Sequence, residues 1–96
     1  MILEFSAPVF EWRGPAPYHF VSVPPEEADD IAAIAGDITY GWGMVPVRGT
    51  LGDTDFTTAL WPKDGGYVVP LKDAVRRAEG VEIDMVVTVR LAVAED

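Results

Sequence analysis

His19 is the only histidine in a 96-residue chain that has no cysteine. A zinc-type site needs several nitrogen or sulfur ligands, and nothing in the chain can join His19 to make one. The serines are Ser6 and Ser22. Ser22 has the opposite strand parity to His19, so the pair cannot form a nucleophile–base couple without a backbone detour. Asp53 and Asp55 share one strand face beside a turn, where they could hold a divalent cation. The third acid and distant glutamate of a calcium loop are missing, so a solvated turn is the expected reading. Glu26, Glu27, Asp29 and Asp30 crowd the start of a helix, where the helix dipole favours carboxylates. Glycosidic chemistry instead needs two carboxylates facing each other across a cleft. These residues nominate no catalytic group, no metal and no cofactor, and an enzyme is the less favoured reading.

Two other groups have the chemistry of recognition. Arg76 and Arg77 fall in the last turn of a short helix, where cations suit the exposed carbonyls. Each guanidinium can grip an anion or a carboxylate on a partner, or an acid of its own chain. Tyr40-Gly41-Trp42-Gly43 sets two aromatic rings on a glycine-flexible connection, a composition used for ligand lids and protein contacts. The same tryptophan can instead fold back to plug one end of a small barrel. Trp12 and Trp61 lie opposite the apolar set of their strands and extend the potential aromatic surface.

Charge narrows the partners. Seven basic residues against sixteen acidic ones give a net charge of −9, which repels nucleic-acid backbones and acidic membranes. Nucleic acid is therefore a disfavoured partner. No apolar run has the length of a membrane span and no basic leader precedes one. A cytoplasmic protein is expected, as a monomer or weak homodimer, whose partner is a small molecule or another protein.

The elements that must position these groups follow from periodicity. Leu3, Phe5, Ala7 and Val9 alternate as a strand that can bulge at Pro8. Gly14–Pro17 turns the chain into a partner strand, Tyr18–Val23. Ala28, Ile31, Ala32 and Ala35 form the inner stripe of a first helix that Gly36 ends. Asp37–Gly43 reads as a loop. Val45, Val47, Gly49 and Leu51 face one way, Gly52-Asp53 turns the chain, and Phe56, Thr58 and Leu60 face inward on the return. A further turn spans Pro62–Gly66. Pro70 then stops the strand Tyr67–Val69, Leu71, Ala74, Val75 and Ala78 line a second helix, and Gly80 ends it. Met85, Val87, Val89, Leu91 and Val93 alternate on the last strand. Six strands, two short helices and no βαβ rhythm give an all-β class, a small closed six-stranded barrel in one domain spanning 1–96.

Val23-Pro24-Pro25-Glu26-Glu27-Ala28 is echoed by Val69-Pro70-Leu71-Lys72-Asp73-Ala74, strand into proline into short helix. The spacing suggests two duplicated halves, each too small to bury its own apolar face. The segments FVSVPPEEA, GMVPVRGTLGDTDFTTALWP and GGYVVPLKDAVRRAEGVEIDMVVTV together resemble a bacterial and archaeal family, the domain of unknown function nineteen-oh-five. The resemblance runs from Phe5 to Val93. It implies a small closed barrel similar to the swapped-hairpin barrels of AbrB/MazE-type regulators, here carried by one chain. Members of the family stand alone or precede a YdeI/OmpD-associated domain. Arg76 matches the family's arginine position. The family pattern has Gly-Asp before the last strand where this chain has Ile83-Asp84, so that turn is expected to differ. The resemblance brings no established activity. The favoured reading is a non-catalytic barrel that binds a small ligand or protein through Tyr40–Gly43, and the alternative is a DNA-binding regulator by analogy of fold, opposed by the charge.

Overall fold

Alternating apolar side chains wind six strands into a closed barrel in the computed structural model of the chain, which describes residues 1–13, 17–38 and 43–94. The elements in order are β1 (Ile2–Arg13), β2 (Pro17–Ser22), α1 (Pro25–Ile38), β3 (Val45–Leu51), β4 (Thr54–Lys63), β5 (Gly66–Pro70), α2 (Asp73–Glu79) and β6 (Val86–Val93). Around the barrel the strands run β1-β2-β5-β4-β3-β6, with β6 pairing back onto β1 and every pair antiparallel. Closure leaves no edge among the described strands, so each pairs on both sides within the chain. The strand order is unchanged when β1 exchanges with β4, β2 with β5 and β3 with β6. The β2–β5 ladder pairs Phe20 with Pro70, Val21 with Val69 and Ser22 with Val68. It is extended by the Leu71 amide donating to the His19 carbonyl at 2.8 Å and by the Val23 amide donating to the Tyr67 carbonyl at 2.9 Å.

Inward positions fill the interior. Val9, Val21, Val45, Leu60, Val69 and Leu91 are all fully buried, and the apolar area they remove from water is the main driving force for closure. β1 does not bulge at Pro8. Its register against β6 is regular from Ile2 to Pro8, and from Val9, whose backbone still bonds Asp84 and Met85, it pairs with β2. The change of partner absorbs the proline, whose missing N–H falls where the ladder changes hands.

The helices differ from the sequence expectation in extent and facing. α1 runs through Gly36 to Ile38 and rests on Ala28, Ile31 and Ala35, with Ala32 exposed. An exposed glycine inside a helix costs only about 1 kcal/mol, so Gly36 need not end it. α2 is short enough to present a single i, i+4 line to the barrel. Val75 is buried between Leu71 before the helix and Val81 after it, while Ala74 and Ala78 face solvent. Gly80 ends α2 as expected, in the left-handed region at φ 62°, with its N–H donating to the Arg76 carbonyl.

Three turns were legible to different degrees. Gly52-Asp53 joins β3 to β4 with glycine first, at φ 59°. The next hairpin is tighter than expected. Pro62 and Lys63 belong to β4, and only Asp64-Gly65 turns, both at positive φ (51° and 80°), the pattern of a type I′ turn whose twist matches the strands. Before β6, Asp84 adopts φ 72° and its amide donates to the Val9 carbonyl at 2.7 Å. Aspartate tolerates that conformation better than most residues, so Ile83-Asp84 replaces a glycine-first turn. Met85 consequently leaves the strand and is exposed. Pro17 begins β2 rather than ending the preceding turn.

Gly52 also locks β3–β4 to α2. The Glu79 carboxylate occupies the space a Cβ at Gly52 would take, and its Oε2 accepts a 2.6 Å hydrogen bond from the Thr54 hydroxyl. Gly52→Ala adds left-handed strain and displaces that carboxylate, so urea unfolding should show a loss of about 2 kcal/mol. In a Glu79→Ala background the same substitution should cost only the backbone strain, about 1 kcal/mol. Equal losses in both backgrounds would mean the lock contributes nothing.

Candidate functional site

Phe20 organises the outside of the barrel. Its strand parity points it away from the interior, yet it is only 1% exposed. Phe10, its register partner on β1, lies 5.8 Å away between ring centroids. Tyr18 lies at 5.9 Å and Trp61, from β4, at 5.1 Å. Tyr18 and Trp61 meet edge to face at 5.2 Å and 66°, a favoured arrangement for aromatic quadrupoles. The barrel therefore carries a second, aromatic layer on the face of β1, β2, β5 and β4. Trp61 is half-buried within it, whereas Trp12 at its margin is exposed. Parity alone treats the two tryptophans alike, and the rings of neighbouring strands separate them.

An open cleft of about 720 Å³ begins at this layer and runs to α2. Tyr18 and Trp61 form one wall, with Met44 and Ala59 nearby, and Lys72 and Arg76 stand on the α2 side with Asp73. His19, half-buried at the barrel rim, also lines it. The closing of β4 between β3 and β5 brings these groups together, since Trp61 and Lys72 are separated by a whole strand in sequence.

Arg76 is held in place by its own segment of the chain. Its Nε donates to the Leu71 carbonyl at 3.1 Å, and its guanidinium pairs with Asp73 one turn earlier on α2. Its side chain is 24% exposed. These contacts use only some of the guanidinium donors. Lys72 is anchored more lightly, by one 3.1 Å bond from Nζ to the Thr57 carbonyl. Arg77 is 83% exposed, lies 3.9 Å from Asp73 and is not part of the cleft lining. The two arginines are thus placed differently by the same helix.

Tyr40 and Trp42 lie outside the described residues. The chain re-enters the structure at Gly43, with φ 85°, and the next residue, Met44, lines the cleft. Asp55 is engaged by the Thr50 hydroxyl at 2.9 Å. Ser6 shares a 2.7 Å hydrogen bond with Thr88 and is remote in register from His19. Among the described residues there is no group of acids and histidine placed to hold a metal ion, and no helix is long and apolar enough to cross a membrane. Sequence reasoning singled out Arg76 but missed Tyr18, His19 and Lys72 as its neighbours. Only the pairing of β2 with β5 and of β5 with β4 reveals them.

No curated protein matches the chain. The family model described as Domain of unknown function (DUF1905) matches residues 5–91, which covers both helices and all of the barrel except the first three residues of β1 and the last two of β6. On that match the chain belongs to the DUF1905 family.

Proposed function

We propose that the protein is a non-catalytic β-barrel module that binds a small ligand in the cleft between the outer aromatic layer and α2. The observation that carries this reading is the convergence of Trp61, Tyr18, Lys72 and Arg76 on one concavity. Binding sites are typically concave and largely apolar, with few polar groups that fix orientation. In this reading Tyr40 and Trp42, which precede Met44 in the chain, are binding residues as well. Arg76 is the orienting cation. Arg77 serves the helix terminus and its pairing with Asp73.

Screening a panel of small metabolites by ¹⁵N–¹H spectroscopy tests the proposal. Signals of Gly43, Met44, Thr57–Trp61 and Leu71–Arg76 should move together with a binder. Trp42→Ala and Arg76→Gln should each weaken that binder about tenfold, roughly 1.4 kcal/mol. Unchanged binding by both variants would refute the site. The symmetric strand order, and the pairing of Ser22 with Val68 at the same sequence spacing as the echoed Val23 and Val69, further support a chain made of two duplicated ββαβ halves. The halves differ in charge, because a concavity of about 620 Å³ beside α1 is lined by Asp29, Asp64 and Lys63, whereas the cleft beside α2 carries Lys72, Arg76 and Asp73.

A further inference from the structure

We infer that the ligand of this cleft is a flat monoanion, a planar ring bearing one carboxylate; the inference rests on the cleft being the binding site. Charge is the first reason. The charged groups lining the cleft are Lys72, Arg76 and Asp73. Two cations against one acid leave a single net positive charge in a chain whose total is −9. A monoanion neutralises the cleft. A dianion such as a phosphate monoester leaves it negative and works against the field of the rest of the molecule.

Geometry is the second reason. Arg76 is oriented through Leu71 and Asp73, so little side-chain freedom remains to be lost when its guanidinium meets a carboxylate. The rings of Tyr18 and Trp61, which line the same cleft, are packed edge to face and backed by the buried Phe20. A rigid aromatic wall favours a planar ring over a flexible chain, because ring contacts add to area burial. Pro70, Ala59 and Met44 complete an apolar surround. His19 also lines the cleft, half-buried, and an imidazole nitrogen there can pair with a polar substituent on the ligand.

The probes are benzoate, acetate, benzyl alcohol and phenyl phosphate, titrated into the full chain at fixed pH and salt. Benzoate should shift the Trp61 indole N–H and the Arg76 Nε–H signals. Acetate, which lacks the ring, and benzyl alcohol, which lacks the charge, should each bind at least tenfold more weakly. Trp61→Ala and Lys72→Gln should each reduce benzoate affinity about tenfold. Lys72→Gln guards against misfolding, since that residue is exposed and its Nζ is held by a single hydrogen bond to the Thr57 carbonyl. Arg77→Gln and Arg48→Gln, both outside the cleft, should leave binding unchanged. Phenyl phosphate or benzyl alcohol binding in the cleft as tightly as benzoate would overturn the ligand class and leave the cleft reading intact. Absence of any benzoate shift would also overturn the class, while a panel binder elsewhere in the cleft would preserve the site. Benzoate shifts confined to the β3–β6 face around Arg48 and Arg90 would overturn both.

Discussion

Phe20→Ala should cost about 3–5 kcal/mol of unfolding free energy, as much as a change in the barrel interior. An outward residue of a small barrel would ordinarily stay within about 0.5 kcal/mol. The difference lies in the rings around it. Phe20 is nearly inaccessible and touches Phe10, Tyr18 and Trp61 at centroid distances of 5.8, 5.9 and 5.1 Å. Removing it loses the transfer free energy of a phenyl ring and leaves a cavity, because the three partners are fixed to separate strands. Ser22→Ala, on the same face of β2 and exposed, is the control and should change stability by less than about 0.5 kcal/mol. Equilibrium urea unfolding of the two variants measures this directly. A loss below about 1 kcal/mol for Phe20→Ala would mean that the outer layer is a surface cluster and not a second core.

The same variant has a functional consequence. Trp61 leans on Phe20, so its loss should broaden or shift the Trp61 indole signal and blunt benzoate binding even where the protein remains folded. Trp61→Ala should blunt binding with a smaller stability loss, since that ring is half-exposed. Comparing the two separates positioning of the aromatic wall from contact with the ligand.

Leu91→Ala should destabilise by about 3–4 kcal/mol. Leu91 is fully buried on β6, paired with Leu3 on one side and Gly49 on the other. Both ladders hold β6 in place, so the backbone cannot move inward to fill the space. Gly49 offers no side chain of its own; the Phe56 ring lies where its Cβ would be, the way an aromatic covers a glycine across an antiparallel pair. For a domain with the usual total stability of about 5–15 kcal/mol, this single change should lower the thermal midpoint by well over ten degrees. Calorimetry or a far-ultraviolet melt checks it. A shift of only a few degrees would show that Phe56 or Leu3 relaxes into the cavity.

The chain's own letters determine most of the barrel. Alternation at Leu3–Val9, Val45–Leu51 and Val87–Val93 marks strand faces because successive side chains point to opposite sides. Gly52, Gly65 and Gly80 mark turns and a helix end because positive φ strains most other residues. Cysteine-free composition and a lone histidine settle which chemistries lack their ligands. Helix facing was less legible. Ala28, Ala32, Ala35, Ala74 and Ala78 are small enough to sit on either side of a helix, and only the packing of α1 and α2 decided which were covered. Gly36 was ambiguous for a related reason, since glycine permits a helix end without requiring one.

Tertiary structure alone decided the site. Phe20 becomes buried only because β2 lies beside β1 and β5, with Trp61 of β4 reaching over from the strand beyond. The cleft exists because β5 carries the chain from β4 to α2 and returns Lys72 and Arg76 to the neighbourhood of Trp61. Local periodicity reports on residues a few positions apart and is silent about contacts made through ladder order. That is why the strands could be read along the chain, while the meeting of a ring wall with two cations could not.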